Sequence, residues 1–255
     1  MKLVSLIIPA YNEVDSIRTT VDQAVDYFSG RGIASELIVA ADGNDGTREA
    51  ALEVAQAHRH LATRIHVIGS PERRGKGHAV REAVRLAAGD VIGFTDADNK
   101  TPIGEFDKIE SRLLEGFDVV IGSRSLPDSK VERLQPLYRR MGGKIFAVVK
   151  RLCVGLDDIV DTQCGFKFFA GDVARDLFRR QTIDGYMFDV EILFIARQRG
   201  YRIAQVPVRW RDDGDSRSQP VLGGVRILSD TLAIHRRHRS LRPDRHPRAV
   251  LPMDS

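Results

Sequence analysis

The feature that most constrains how this chain can fold is a hydrophobic period that keeps switching along its first hundred residues. Short apolar runs, "LVSLII", "ELIVAA", "IHVIG" and "VIGF", are separated by longer stretches of helical spacing, Val14–Phe28, Thr47–Ala57 and Gly77–Ala88. Runs of that length read as strands, and the stretches between them as helices that carry the chain back across a sheet. Strand and helix alternating in this way predict an α/β fold with a mostly parallel central sheet and helices on both faces. In such sheets ligands lie outside the carboxyl ends of the strands. Most of the polar clusters in this chain fall there.

At 255 residues and 42% apolar content the chain can bury a sizeable core, and one large domain is expected. After Phe117–Ser123 the rhythm changes. A long basic and apolar helix is expected over Leu134–Val154, then the run "DTQCGFKFF", a helix in "YMFDVEILFIARQRG" stopped by Gly200, and a strand in "YRIAQVPVRW". This half reads as an extension of the same domain. The expected organisation is one domain over residues 1–240, divided functionally near residue 125, followed by a basic, disordered tail over 241–255.

Two cysteines, Cys153 and Cys164, give no disulfide framework and point to a reduced, cytoplasmic setting. No window reaches the run of about 20 apolar residues that crosses a bilayer. The stretch His235–Arg248 sets six arginines and three histidines against one aspartate, which suits either an anionic membrane surface or a solvated tail. It has no aromatic residues interleaved for base stacking, so nucleic acid is not an expected partner.

The chemistry concentrates in "IGFTDADNKTP", where a buried strand ends in Asp96 and Asp98. Residues i and i+2 of a strand face the same side, so two carboxylates so spaced can aim at one point, and their repulsion is relieved by a divalent cation such as Mg²⁺ or Mn²⁺. The bland alternative is that they cap a helix starting at Thr101-Pro102. Three further clusters end or precede neighbouring elements: "IIPAYNE", "VAADGNDGT" and "ERRGKGHAVREAV". Their glycines permit tight turns, and Lys76 with its neighbouring arginines offers cations to phosphate. The Gly-Lys-Gly lacks Walker spacing and no Gly-x-Gly-x-x-Gly follows the first strand, which counts against P-loop ATPase and dinucleotide-dependent oxidoreductase readings.

Taken in this order, these clusters resemble the family 2 glycosyltransferases of GT-A fold, over roughly residues 3–217. "VDTQCGFKFF", "MFDVEILFIA" and "AQVPVRW" look like the dolichyl-phosphate glucose synthase and polyprenyl-phosphate hexosyltransferase branch. The resemblance implies that Pro9, Tyr11 and Glu13 line a nucleoside pocket with Asp42, and that Asp96 and Asp98 hold the metal and the sugar nucleotide. It implies that Arg124, and Arg139 or Arg140, handle the diphosphate and the acceptor's phosphate, and that Arg217 sits in a loop closing on the donor. Lys76 and Gln163 join the substrate-binding candidates. Two departures stand out: the second strand ends in Ala41-Asp42-Gly43-Asn44 rather than paired aspartates with a serine, and Gly142-Gly143-Lys144 follows the paired arginines.

Asp161, Asp189 and Glu191 compete for the role of base. On a helix, Asp189 and Glu191 point about 200 degrees apart and cannot both face the site, so one is expected to be solvated or structural. A lipid monophosphate, whose second pKa is about 6 by analogy with phosphorylated side chains, needs no strong base, and Asp161 then orients Arg or Lys groups. Cys164 is expected to be a packed thiol, Trp210 a rim or core aromatic with sugar stacking as the alternative, His78 a surface residue, and Phe166, Phe168 and Phe169 core. The reading that follows is an inverting, metal-dependent transferase. It moves a hexose from a UDP- or GDP-hexose, UDP-glucose first among them, onto a polyprenyl phosphate, as a peripheral protein at the inner membrane face. Two others stay open: a soluble transferase acting on a small metabolite or glycan, and a sugar-nucleotide binding protein without turnover.

Overall fold

The structure, a computed structural model, describes residues 2–60, 63–131, 156–211 and 223–243, with the backbone alone for 223–228. The helix expected over Leu134–Val154 lies outside the described residues, as do Arg139, Arg140 and Arg217. In chain order the elements are β1 (Val4–Tyr11), α1 (Val14–Gly30), β2 (Ser35–Asp42), α2 (Thr47–Ala57), β3 (Arg64–Ile68), α3 (Lys76–Leu86) and β4 (Val91–Thr95). They continue with a 3₁₀ turn (Ile103–Glu105), α4 (Phe106–Leu114), β5 (Val119–Ser123), β6 (Lys130–Val131), β7 (Phe166–Ala170) and α5 (Gly171–Arg180). The last are α6 (Phe188–Gln198), β8 (Ile203–Pro207), β9 (Arg209–Trp210) and α7 (Gly223–His238).

Seven strands form one sheet in the order β3-β2-β1-β4-β7-β5-β8, parallel except for β7, which runs antiparallel to both its neighbours. β6 and β9 form a separate parallel pair. The expected mixed α/β, mostly parallel sheet is what the chain adopts. β1 and β2 are buried almost throughout because helices cover both faces, which is why they read as unbroken apolar runs rather than as an alternation. The alternation survives in the packing. Ile7 and Ile38 join the core under α3, α5 and α6, while Leu6, Ile8, Leu37 and Val39 join the core under α1, α2 and α4.

β7 follows the same rule. Phe166 and Phe168 enter one core and Phe169 the other, all three with no exposure. Lys167 shares the face of Phe169, toward α3 and α6, and is fully buried. Neither α4 nor α5 is anticipated by the sequence reading, although each presents a clear apolar stripe: Phe106, Ile109 and Leu113 in α4, and Val173, Ala174, Leu177 and Phe178 in α5. Pro102 does stand just ahead of the 3₁₀ turn, but neither the turn nor α4 has a side-chain cap, so the aspartates of "DAD" are not capping groups.

The chain moves outward from β1 to β3 and then crosses back through α3 to β4 on the other side of β1. Loops leaving β1 and β4 therefore diverge, opening a crevice at the carboxyl edge. Pro9 fits in the central strand because the β1–β4 ladder ends at the Ile7–Phe94 pair, two residues earlier.

Gly93 of β4 lies directly opposite Phe168 of β7, and a Cβ there would run into the Phe168 ring, whereas one on Gly104 meets nothing within 4 Å. Gly93→Ala is expected to destabilise the fold by about 1–3 kcal/mol through overpacking, and Gly104→Ala to shift stability by less than about 0.5 kcal/mol. Urea midpoints of the two variants against the parent check this.

Candidate active site

The loops at the carboxyl edge form two linked groups. The first gathers the ends of β1, β2 and β3. Tyr11 closes β1 with its ring partly exposed and the Arg73 guanidinium 4.5 Å from the ring centre. Asn12 follows in the left-handed region (φ 56), and Gly43 (φ 109) lies against its side chain with no room for a Cβ. Glu13 precedes α1, and its N–H donates to Thr47 Oγ1 at 2.8 Å. Asp45 accepts the N–H groups of Val14 and Thr47, joining the starts of α1 and α2. Burial opposes its charge, but the Thr47 hydroxyl and these N–H groups hold the carboxyl below its ordinary range.

Asp42, assigned to the nucleoside pocket, is nearly buried. Its two oxygens accept the N–H groups of Ser70 (3.1 Å) and Arg74 (3.2 Å), so it shapes the loop that carries Arg73 and leads to Lys76. Pro9 is buried in β1 beside Ala40 and does not face solvent.

The second group surrounds Asp96. β4 ends at Thr95, and Asp96–Asn99 form a turn closed by the Asn99 N–H on the Asp96 carbonyl (3.3 Å), with Asn99 at φ 54. The strand alternation expected to aim Asp96 and Asp98 at one point therefore stops one residue short. The two carboxylates take separate cations here: Asp96 meets Lys76 Nζ at 2.6 Å, and Asp98 meets Lys100 Nζ at 3.0 Å. Thr20 of α1 donates to the carbonyl of Ala97 (2.7 Å), fixing the turn to the first group. Burial opposes the charge on Asp96, yet Lys76, with Lys167 and Arg124 behind it, holds the carboxyl below its usual range. Lys76 is likewise penalised by burial and still raised by Asp96 and Asp189.

Asp161, Gln163 and Arg124 come from the far side of the crevice. Arg124 leaves β5 and grips Asp161 twice, Nε to Oδ2 at 2.7 Å and Nη2 to Oδ1 at 2.9 Å, while its guanidinium lies 5.4 Å from the centre of the Trp210 ring. A fork of this kind is rigid and strongly directional. Burial pushes against the Asp161 charge, but the Arg124 bonds outweigh it and bring the carboxyl down to about 2. Thr162 Oγ1 and Gln163 Nε2 are buried beside it with no hydrogen-bond partner among the described residues, which suits groups awaiting a ligand. Gly165 abuts Asp96 so closely that a Cβ would overlap the carboxylate, and this contact brings the two halves of the chain onto one anion.

Lys167 was absent from the candidates read in the sequence. It is fully buried, with Nζ 2.5 Å from Asp189 Oδ1 and 2.5 Å from the Cys164 carbonyl, and its charge reaches Asp96. Its signal was legible: a single lysine inside the apolar run "FKFF" needs a buried carboxylate. Asp189 is that partner, which removes it from contention as a base. Glu191 is bound by Thr182, Ile183 and His238, so both helix acids are structural and neither is solvated. Cys164 is buried, and burial followed by the Asp161 charge pushes its thiol up to about 11, so it is a packing group. Trp210 is half-buried under Arg124, and His78 is half-buried at the start of α3.

Residues 5–174 match the model of glycosyl transferase family 2. The chain belongs to that family. A dolichyl-phosphate beta-glucosyltransferase of Trichomonas vaginalis is 31% identical over 241 residues, covering 90% of this chain and 70% of that one. The Drosophila melanogaster protein of that description is 31% identical over 244 residues (90% and 73%), and the Mus musculus one 32% over 251 (93% and 76%). Among solved structures, glucosyl-3-phosphoglycerate synthase of Mycobacterium tuberculosis, in complex with uridine diphosphate, superposes with a TM-score of 0.63 at 21% identity, over 96% of this chain and 82% of that one. A Pyrobaculum calidifontis mannosyltransferase in complex with GDP-mannose and Mn²⁺ gives 0.56 at 21% identity, over 91% and 69%. The fold is that of the GT-A glycosyltransferases, and this family 2 protein is a glycosyltransferase enzyme.

For this enzyme the depressed Asp161 carboxyl has a stability consequence. Its folded pKa of about 2 lies below the usual 3.8, so the stabilisation is present above about pH 4 and is lost as pH falls through about 2. Asp161→Asn is expected to lower stability at pH 7 by about 2–3 kcal/mol, because it removes that linkage and leaves a partly buried guanidinium without its carboxylate. Urea unfolding at pH 7, 4 and 3 should show the gap between parent and variant narrowing toward the acid end.

Proposed function

We propose that this glycosyltransferase moves a hexose, glucose from UDP-glucose, onto a polyprenyl phosphate in one inverting displacement, working as a peripheral protein at the inner membrane face. The observation that carries the reading is the convergence of Lys76, Lys167 and Arg124 on Asp96 and Asp161 at the carboxyl edge, beside the buried unpartnered Gln163 amide. A reaction that brings a diphosphate and a phosphate together needs cations held in advance where that charge collects. The relatives' own substrate, a dolichyl phosphate, supports the choice of acceptor.

In this reading residues 1–125 form the donor half and 126–240 the acceptor half of one domain. Tyr11, Glu13 and the Asp42-supported loop with Arg73 receive the nucleoside, and Lys76 faces the donor phosphates. Arg124, held by Asp161, presents its guanidinium to the acceptor phosphate. An oxygen of that phosphate forms the new bond to the anomeric carbon as the bond to the diphosphate breaks, and the electron pair leaves with the nucleoside diphosphate. The acceptor is already anionic near neutral pH, so Asp161 orients Arg124 and need not remove a proton.

Mg²⁺ or Mn²⁺ fits Asp96 and Asp98. Both are carboxylate donors, each met by a lysine in this structure, and in this reading the dication would replace those lysines while substrate phosphate and water complete its shell, as hard dications prefer. When bound, such a cation supplies positive charge to the departing diphosphate. Lys76 and Lys100 would then release Asp96 and Asp98, leaving the Lys76 ammonium free to face phosphate.

Radiolabelled transfer from UDP-glucose to a polyprenyl phosphate, alongside water-soluble acceptors, tests the reading. Product is expected on the lipid, with Asp98→Ala or chelator lowering kcat by about 10²–10³. Product on soluble acceptors alone would overturn the acceptor assignment. Nucleotide-sugar binding without transfer to any acceptor would overturn turnover, and activity undiminished in Asp98→Ala with chelator present would overturn the metal.

A further inference from the structure

By its sequence the basic stretch from His235 suits a solvated tail or a membrane-facing patch. In the structure α7 continues through His238, and this histidine is buried while His235, Arg236, Arg237 and Arg239 around it are exposed. His238 Nε2 lies 2.8 Å from Oε1 of Glu191, a residue in the first turn of α6 with no exposure at all. Glu191 also accepts the Thr182 N–H (3.0 Å), the Thr182 hydroxyl (2.6 Å) and the Ile183 N–H (2.8 Å). Arg237 donates to the same Thr182 hydroxyl oxygen at 2.8 Å. The end of the C-terminal helix and one buried carboxylate thus fasten the loop between α5 and α6.

That loop is the seat of the α3 N-terminus. Asp184 O accepts the His78 N–H at 3.2 Å, Asp184 pairs with Arg81 at 2.7 Å, and Gln181 Nε2 donates to Ile183 O at 2.6 Å. Gly75 has no room for a Cβ against Asp184 O, and a Cβ on Gly77 would sit 2.6 Å from Ile183 O. Between these two glycines stands Lys76, the residue whose ammonium holds Asp96. With the backbone on either side pressed onto the loop, a displaced loop must displace Lys76 as well.

We propose that Glu191, clasped by His238, is a positioning residue for Lys76, so that the C-terminal helix sets the geometry of the donor-phosphate site. The catalytic consequence rests on the reading of Lys76 as a phosphate ligand, whereas the mechanical coupling does not. On this view the chain up to His238 is part of the site's support and separable from any role of the residues beyond it in binding a surface.

The test uses the full chain with His238→Ala, the donor-retaining His238→Gln, and Glu191→Gln. It reads hydrogen exchange over 74–80 and 181–187, together with KM and kcat. His238→Ala is expected to speed exchange in both segments by about tenfold, with β1 and β2 unchanged, and to raise KM for the nucleotide sugar severalfold more than it lowers kcat. Glu191→Gln is expected to act in the same direction, and His238→Gln to restore much of both readouts. Faster exchange in 181–187 alone, a uniform rise across the sheet, or a lower kcat at unchanged KM would overturn the proposal. If the enzyme transfers sugar to no acceptor, the proposed function falls, and the exchange pattern still decides the clasp.

Discussion

The Asp96 carboxylate is gripped by a lysine from α3, packed against the glycine that precedes β7, and bathed in the field of cations from β5 and β7, so four segments of the chain meet on one anion. Around it, Lys76 answers Asp96, Lys167 answers Asp189, and Arg124 answers Asp161. Burying a pair as Lys167 and Asp189 are buried is seldom a net gain over apolar packing, since desolvation offsets most of the attraction, but leaving one partner unanswered there costs about 3–5 kcal/mol, and less at Asp96, whose side chain is 42% exposed. The network therefore contributes little by existing and a great deal by being complete. It fixes where each charge stands before any anionic ligand arrives.

This constraint explains features that otherwise look unconnected. Gly165 is required because the carboxylate occupies the place of its side chain, and Gly75 and Gly77 because α3 must begin flush against the 181–185 backbone to bring Lys76 within reach. The ring of Phe94 lies 5.7 Å from Lys76 Nζ and 5.4 Å from Lys167 Nζ, giving both ammonium groups a common apolar and weakly attractive wall. Gly165 and Phe94 are set by neighbouring charges, and Gly75 and Gly77 by the backbone that holds one of them in place.

Much of the architecture was legible because it rests on local signals. The change of period marks β1 to β4 and their helices, and the polar clusters at strand ends mark the carboxyl edge of the sheet. What was not legible depends on long-range pairing. The run "FKFF" announces a strand but not its direction, and β7 turned out to run antiparallel between β4 and β5. The end of β4 at Thr95 rather than beyond Asp98 follows from the left-handed Asn99 that closes the turn, a conformation asparagine tolerates but does not dictate. Lys167–Asp189 and Glu191–His238 are pairs between elements, and periodicity within one element carries no information about them. The helix expected from Leu134 and the arginines at 139, 140 and 217 fall outside the described residues.

The position of β7 also bears on how the sequence before and after residue 125 fits together. It comes from the far side of the boundary near residue 125, yet it lies between β4 and β5, both from the near side, and contributes Phe168 to one core and Phe169 to the other. Removing it would take away the one strand that joins β4 to β5 in the sheet. The sequence after residue 125 is therefore structurally part of the sheet built by the sequence before it, and this insertion brings Gly165 against Asp96 and, beyond β7, the Asp189 charge to Lys76. Threading a strand of the later sequence through the sheet of the earlier one fixes the separation of the groups each carries with backbone hydrogen bonds rather than with a hinge, the condition a transfer reaction sets on its two substrates.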